Sequence, residues 1–258
     1  MTKVSQVLYR KEGHIAYISL NNPERRNAIN RSLVKELAGV WVDFRDDNDL
    51  WVAILSGEGQ SFCSGADVKE MERGRWRLRE SLIFGDDKVS SRNYGVWKPI
   101  VAAVHRHVFG AGLMLAMECD IKVASDDAIF GLPEGKVNIP TLLAPFLADY
   151  MPRALAAELV FTGKPIDAQR AYQAGMINKV VPREQLMAGA REYAEQICEL
   201  GPLSLWATKE LLYRTRYMDY ESTVSFIEHV ATPVWNSEDS VEGKRAFIEK
   251  RKPQWQVK

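Results

Sequence analysis

Two short segments of small residues each stand between an apolar run and the start of a predicted helix. Residues 64–67 (SGAD) follow the run at 50–55, and residues 110–112 (GAG) follow the run at 100–104. Small residues let a ligand approach the main chain, and the first N–H groups of a helix lack intrahelical acceptors and attract negative charge. Two such turns facing each other would form an oxyanion hole. Taken alone, either turn is also explained by close packing of backbone against backbone.

Other arrangements of reactive residues are less complete. His105 and His107 share a face of a strand end, but no third metal ligand accompanies them, so a structural role is favoured. Ser64 lacks the G-x-S-x-G elbow of a nucleophilic hydrolase. The turn at 110–112 does not complete G-x-G-x-x-G, and the chain has no P-loop.

The three cysteines, Cys63, Cys119 and Cys198, form no C-x-x-C pair. A metal knuckle or a disulfide framework is therefore not expected. Cys63 and Cys119 are interpreted as small apolar residues that pack in the interior. No metal site is predicted.

The elements that must position the two turns alternate between strands and helices. Hydrophobic periodicity predicts strands at residues 14–20, 50–55, 100–104 and 121–124, and helices at 32–45 and 113–119. This order favours an α/β core with partly parallel pairing. Further helices are predicted at 154–161, 167–174, 183–199 and 202–216. We therefore predict an α/β core domain at 1–190 and a helical C-terminal region at 191–258.

A highly charged segment, residues 68–80, interrupts this pattern around Gly74. It is interpreted as a solvated helix face. The alternative is a lid over a site, with Trp76, Leu78 and Phe84 directed towards a ligand.

Composition excludes several classes of function. The chain has 258 residues, with 34 Lys plus Arg against 34 Asp plus Glu, so its formal net charge is zero. Nucleic-acid binding needs a basic surplus, and a basic membrane-surface helix does too. The N-terminus has no signal-peptide pattern, and no apolar run reaches the ~18 residues of a membrane span. A soluble, cytoplasmic protein with no nucleic-acid or membrane partner is expected.

Several motifs occur in a fixed order along nearly the whole chain. They lie at residues 22–29 (NPERRNAI), 61–67 (SFCSGAD), 110–120 (GAGLMLAMECD) and 130–134 (FGLPE), with further matches at 161–163, 171–177 and 242–251. Together they resemble the crotonase (enoyl-CoA hydratase/isomerase) superfamily. The resemblance implies a spiral of stacked β-β-α turns with C-terminal helices that mediate assembly into a homotrimer or homohexamer. It also implies an acyl-CoA thioester as substrate, with coenzyme A entering as part of it and no tightly bound cofactor.

The resemblance also implies roles for individual residues. The N–H groups of Ala66 and Ala111 would stabilise the enolate oxygen of the thioester, and Glu134 would transfer protons. Ala111 replaces the usual glycine but keeps its N–H. From the sequence alone, a surface carboxylate after a turn is the favoured interpretation of Glu134, and the resemblance reverses it. The contacts implied for the CoA ester are Arg25, Arg26, Ala28, Ser64, Gly65, Asp67, Gly110, Met114, Phe247 and Lys250, the last of these from a neighbouring subunit.

Met114 is the most informative departure from the family pattern. Hydratases of the family usually carry a glutamate at this position and a second one at the position of Glu134. Methionine cannot transfer a proton, whereas a double-bond shift needs only one base that removes a proton and returns it nearby. We therefore favour enoyl-CoA isomerisation, with hydration, hydratase-lyase or decarboxylase chemistry as alternatives. A non-catalytic acyl-CoA-binding or scaffold protein is the alternative of a different class.

Two further expectations concern the surroundings of Glu134. Without a second carboxylate beside it, burial against Leu113 and Met114 should raise the pKa of Glu134. Residues 141–146 (TLLAPF) replace a glycine-rich stretch of the family. With Trp76, Phe84 and Trp97 nearby in sequence, this change predicts an apolar wall and a hydrophobic acyl group, branched or cyclic.

Overall fold

The strands of the protein form two sheets. The computed structural model describes residues 5–72 and 88–258. Within these ranges the strands are β1 (Val7–Glu12), β2 (Ile15–Leu20), β3 (Val52–Gly57), β4 (Ile100–Val104), β5 (His107–Phe109), β6 (Ile121–Ser125), β7 (Ile129–Gly131), β8 (Ile166–Asp167) and β9 (Lys179–Val181). The larger sheet has the order β1-β2-β3-β4-β6-β9, and the smaller one β5-β7-β8.

Helices cover both sheets and make up the C-terminal region. The α-helices of the described residues are α1 (Arg31–Asp46), α2 (Val68–Glu72), α3 (Ala111–Met117), α4 (Arg153–Thr162), α5 (Ala168–Gln173), α6 (Leu186–Cys198), α7 (Pro202–Arg214), α8 (Tyr220–Trp235) and α9 (Glu238–Glu249). Short 3₁₀ helices at Pro133–Val137 and Ala144–Asp149 follow β7.

The chain winds through the two sheets in repeated β-β-α units. β4 lies in the larger sheet, β5 in the smaller one, and α3 follows; β6, β7 and α4 repeat this path. β4 and β6 are parallel, as are β5 and β7. β1 and β2 form an antiparallel hairpin at the edge. Every residue of β4 is buried, as expected for a parallel strand covered on both faces.

The larger sheet separates two apolar cores. On one face, Ala53 and Leu55 of β3 belong to the core that contains the buried side of α1. On the other face, Val52 and Ile54 pack with residues of α6. This alternation follows from the two-residue period of a strand. The buried side of α1 includes Trp41 and Phe44.

The predicted elements are confirmed with shifted boundaries, and one shift matters for function. The helix predicted at 113–119 begins at Ala111. Gly110 stands between β5 and α3 with φ 52° and ψ −123°, a conformation open to glycine but not to residues with a Cβ atom. Ala111 is therefore the first helical residue, and its N–H lies beyond the reach of any intrahelical acceptor.

The C-terminal helices carry many exposed apolar side chains. On α9, Phe247 is 86% exposed and Ile248 is 78% exposed. Leu212 of α7 and Tyr220 of α8 are exposed as well. None of the helices in the described residues is both long and apolar enough to span a bilayer.

Candidate active site

The first turn is held against the segment before α1. The Ile29 N–H donates to the Gly65 carbonyl at 2.8 Å, and the Asp67 N–H donates to the Ile29 carbonyl at 2.8 Å. Gly65 and Asp67 thus both bond to Ile29, in the pattern of a parallel β-bridge. In this pattern the residue between them directs its own N–H to the opposite side. The Ala66 N–H therefore points away from Ile29, and the described part of the chain supplies no acceptor for it.

Asp67 fixes the end of this turn. Its Oδ1 accepts the N–H groups of Lys69 and Glu70 at 3.1 and 3.2 Å, and its Oδ2 accepts Nη1 of Arg25 at 2.7 Å. Burial alone would raise the pKa of Asp67, but these hydrogen bonds and the Arg25 charge lower it. Asp67 is thus held as a carboxylate that connects the segment at 22–29 to the start of α2.

The second turn joins β5 to α3. The Gly110 N–H donates to the Gly131 carbonyl at 3.0 Å, which places this turn beside the segment that leads to Glu134. Within residues 5–72 and 88–258 no acceptor is found for the Ala111 N–H. The start of α3 therefore presents a free donor where its dipole favours negative charge.

The structure brings the two turns into contact. A Cβ atom added to Gly65 would lie 3.7 Å from the Ala111 nitrogen and 3.0 Å from the Phe109 carbonyl oxygen. One added to Gly110 would lie 3.8 Å from the Cα atom of Gly65. The close packing of backbone against backbone is therefore observed, and it sets the starts of two helices side by side.

Glu134 lies directly against the second turn. Its Oε1 is 3.1 Å from the position that a Cβ atom would take at Gly110. Its Oε2 is buried and has no hydrogen-bond partner in the described part of the chain. Burial raises the pKa of Glu134, and a hydrogen bond from its own backbone N–H offsets this only in part. The predicted direction of the shift is confirmed.

Met114 lies one turn further along α3. Its N–H donates to the Gly110 carbonyl at 3.0 Å, and its side chain is half-buried. The thioether contributes no acid or base beside Glu134. The side chain lines a cavity of about 830 Å³ that Glu118, four residues further along, also lines.

The wall predicted for this cavity is only partly apolar. Leu142, Leu143 and Phe146 line it as expected. Trp97 does not, because it lines a separate cavity with Lys98 and Trp206. Charged residues supply much of the remaining wall. Trp76 and Phe84, like most of the predicted lid, lie outside the described residues.

Apart from Gly110 and Met114, which lie at the second turn and on α3, the residues predicted to hold the CoA ester fall into two groups. Those of the first group surround the first turn: the Ser64 N–H donates to the Arg26 carbonyl at 3.0 Å, and the N–H of the buried Ala28 donates to the Arg25 carbonyl at 3.1 Å. Phe247 and Lys250 form the second group. They are exposed on or just after α9, and no hydrogen bond or ion pair of the described residues joins them to the turns.

Asn27 is a buried positioning residue that sequence reasoning passed over. Its Nδ2 donates to the carbonyl groups of Ser61 and Phe62 at 2.8 and 3.1 Å, and its Oδ1 accepts the Asn22 N–H at 2.8 Å. It thereby fixes the approach to the first turn. The motif at 22–29 contained the signal, but nothing in the sequence separated Asn27 from its neighbours.

The remaining candidates have structural contacts. His107 Nδ1 lies 2.9 Å from Ser61 Oγ, and His105 Nε2 lies 3.3 Å from the Gly59 carbonyl oxygen. No group of three or more metal-ligating side chains occurs among the described residues. Burial raises the pKa of Cys63 and of Cys119 to about 12, which suits packed thiols and not nucleophiles.

Comparison with known proteins identifies the family of this chain. The family model for enoyl-CoA hydratase/isomerase matches residues 10–258. The chain belongs to the enoyl-CoA hydratase/isomerase family. The family resemblance drawn from the motifs is thereby confirmed, and so is the expected fold of β-β-α units with C-terminal helices.

Named members of the enoyl-CoA hydratase/isomerase family match over almost their whole length. An (E)-benzylidenesuccinyl-CoA hydratase of Thauera aromatica is 34% identical, over 93% of this chain and 94% of the relative. A carnitinyl-CoA dehydratase of Citrobacter koseri is 36% identical, over 96% of this chain and 97% of the relative. The crystal structure of an enoyl-CoA hydratase from Mycobacterium tuberculosis superposes with a TM-score of 0.91 at 32% identity. The superposition covers 99% of this chain and 100% of that chain.

Proposed function

We propose that this family member stabilises a thioester enolate between the N–H groups of Ala66 and Ala111 and uses Glu134 as its single acid and base. The observation that carries the proposal is the placement of Glu134 against Gly110, next to a helix start whose N–H has no acceptor among the described residues. Met114 occupies the neighbouring position, so no second carboxylate is supplied there. This arrangement is suited to moving one proton at a time.

The reaction that fits best is a shift of the double bond in an enoyl-CoA ester. The Glu134 carboxylate takes a proton from the carbon next to the thioester of a 3-enoyl-CoA. The electron pair left by that C–H bond moves onto the thioester oxygen, where the two N–H groups stabilise the negative charge. The enolate electrons then return through the conjugated system, and protonated Glu134 gives its proton to the γ-carbon. The product is a 2-enoyl-CoA, no water is consumed, and Glu134 ends as the carboxylate.

Hydration is the second candidate. The relatives named above are a hydratase and a dehydratase, and the same oxyanion hole would serve the addition of water to a 2-enoyl-CoA. With Met114 in place of a carboxylate, Glu134 would have to position and deprotonate the water alone. We therefore place isomerisation first.

A substrate panel tests the proposal. The purified protein is incubated with 3-enoyl-, 2-enoyl-, hydroxycinnamoyl- and malonyl-type CoA esters, and the products are read by mass spectrometry and NMR. Isomerisation leaves the mass unchanged and moves the double bond, whereas hydration adds the mass of one water. Cleavage to an aldehyde or loss of carbon dioxide would indicate lyase or decarboxylase chemistry. Binding of the esters without any turnover would contradict the proposal and indicate a non-catalytic protein.

The coenzyme A moiety is proposed to bind along the first turn. The Arg25 and Arg26 side chains are exposed there, although Arg25 also pairs with Asp67. Phe247 and Lys250 would complete the CoA site of a neighbouring copy, since both are exposed and unconnected to the turns of their own chain. The exposed apolar side chains of the C-terminal helices fit a homotrimer that buries them.

A further inference from the structure

The cavity beyond Met114 ends in a group of polar side chains that the proposed reaction does not use. Met114 and Glu118 both line this cavity, and residues four apart lie on the same face of a helix. Glu118 follows Gly110 by eight residues, which corresponds to about 12 Å along a helix axis at 1.5 Å per residue. Glu118 is therefore too distant to replace the missing second carboxylate beside Glu134.

Glu118 has an unsatisfied oxygen. Its Oε2 is buried and finds no hydrogen-bond partner within the described ranges. Burial raises the pKa of Glu118, although the Arg92 charge and a hydrogen bond with Ser90 act in the opposite direction. A buried polar atom without a partner costs free energy, so a ligand that supplies a hydrogen bond to it is favoured over one that does not.

The groups around Glu118 are held in place. Arg92 Nη2 donates to the Tyr150 hydroxyl at 3.0 Å, and the Arg92 guanidinium lies 4.7 Å from the centre of the Tyr213 ring. The Tyr213 hydroxyl in turn donates to Asp120 Oδ1 at 3.0 Å. This polar end is thus pre-organised before any ligand binds.

With Lys209 counted, the charged groups at this end comprise one more cation than carboxylates. Arg92, Lys122 and Arg216 line the cavity together with the carboxylates of Glu118, Asp120 and Asp149. Asp149 pairs with Arg216, and Asp120 Oδ2 accepts Lys209 Nζ at 2.7 Å. A ligand carboxylate has no hydrogen to donate to Glu118 Oε2, and an ammonium group would add to the excess of cations, whereas a neutral hydroxyl donates without adding charge.

We propose that the acyl group of the substrate carries a hydroxyl at its end distant from the thioester, and that this hydroxyl donates to Glu118 Oε2. The inference rests on the proposed function, which places the thioester at the two turns. It also refines the expectation of a purely hydrophobic acyl group. The wall at Leu142, Leu143 and Phe146 contacts the chain, and the polar end selects its terminus.

Binding of non-reacting esters tests this inference without relying on turnover. The probes are hexanoyl-, octanoyl- and decanoyl-CoA, each compared by calorimetry with its ω-hydroxy and ω-carboxylate analogues. We expect the ω-hydroxy ester to bind about tenfold more tightly than the alkyl ester at the chain length that reaches Glu118. The carboxylate analogue should bind no better than the alkyl ester. If no ω-hydroxy ester binds more tightly than its alkyl partner, or if the carboxylate is preferred, the inference is wrong.

Two substitutions assign the effect to Glu118. Glu118→Leu should abolish the preference for the hydroxyl, while Glu118→Gln, which keeps an acceptor oxygen, should retain part of it. Glu195→Leu, at an exposed carboxylate on α6, is the matched control and should leave the preference unchanged. The wild-type comparison decides the question even if Glu118→Leu does not fold.

The outcomes separate this inference from the function on which it rests. Alkyl esters that bind as tightly as hydroxylated ones contradict only the role of Glu118. Failure of every CoA ester to bind contradicts the proposed function and this inference with it.

Discussion

Glu134 and Met114 both adjoin Gly110, and only Glu134 can carry a proton. The carboxylate is buried next to a turn whose glycine leaves room for it. Met114 supplies apolar volume and cannot transfer a proton. The family resemblance predicted both positions, and the structure adds the contact between Glu134 and the second turn.

The pH dependence of turnover should reflect the burial of Glu134. The base must be deprotonated to take the α-proton, so kcat/KM should rise with pH through the pKa of Glu134. Because burial raises that pKa, the midpoint should lie above the ordinary value of 4.5. Initial rates of isomerisation across the acidic range give this midpoint. A midpoint at or below 4.5 would contradict the assigned environment.

Restoring a carboxylate next to Glu134 should restore hydration. General acid–base groups contribute typically ~10²–10⁴-fold, so Met114→Glu should raise the ratio of hydration to isomerisation at least about tenfold. Met114→Gln is the matched control, since glutamine has a similar length and polarity but does not transfer protons. The two products are quantified by NMR from one 2-enoyl-CoA. An equal gain in both variants would point to polarity and not to proton transfer.

At the scale of elements, hydrophobic periodicity predicted the strands β2, β3, β4 and β6 and the helices α1 and α3–α7, but no strand of the smaller sheet. It did not place the start of α3 at Ala111, because that boundary depends on the positive φ of Gly110 and on its contact with Gly131 across the smaller sheet. It could not show that the two turns touch, since residues 64–67 and 110–112 are far apart in sequence. The family motifs supplied that expectation.

The packing of the two turns leads to a stability prediction. Gly65 has φ 97°, and a Cβ atom there would lie 3.0 Å from the Phe109 carbonyl oxygen. Gly65→Ala should therefore destabilise the fold by about 1–3 kcal/mol and impair turnover more than this loss explains. Gly39→Ala, in the exposed part of α1 with no atom within 4 Å of the new Cβ, should stabilise by about 0.5–1 kcal/mol. Urea unfolding measures both; equal stability of the two variants would contradict the close packing.

At the scale of the whole molecule, the ordered motifs were sufficient to predict the fold, while the roles of the site residues stay predictions. The polar end of the cavity could not be predicted. Arg92, Glu118, Tyr150 and Tyr213 come from separate elements, and only the tertiary fold brings them together. The division into domains at residue 190 stays a prediction.

The exposed C-terminal helices lead to a prediction about assembly. If α9 contributes to a trimer interface, Ile248→Glu should shift the protein from trimer to monomer, because it places a charge within a buried apolar contact. Lys244→Glu, an exposed charge on the same helix, is the control. Light scattering after size exclusion gives the mass of each variant. A monomeric wild-type protein, or a trimer that survives Ile248→Glu, would exclude this interface.

The most direct test of the central claim is exchange of the α-proton of a bound CoA ester in deuterated water. Wild-type protein should introduce deuterium next to the thioester as Glu134 removes and returns protons. Glu134→Gln should lower that rate by about a hundredfold or more while binding the ester with unchanged affinity. Exchange at the wild-type rate in Glu134→Gln would show that another group is the base and would contradict the account.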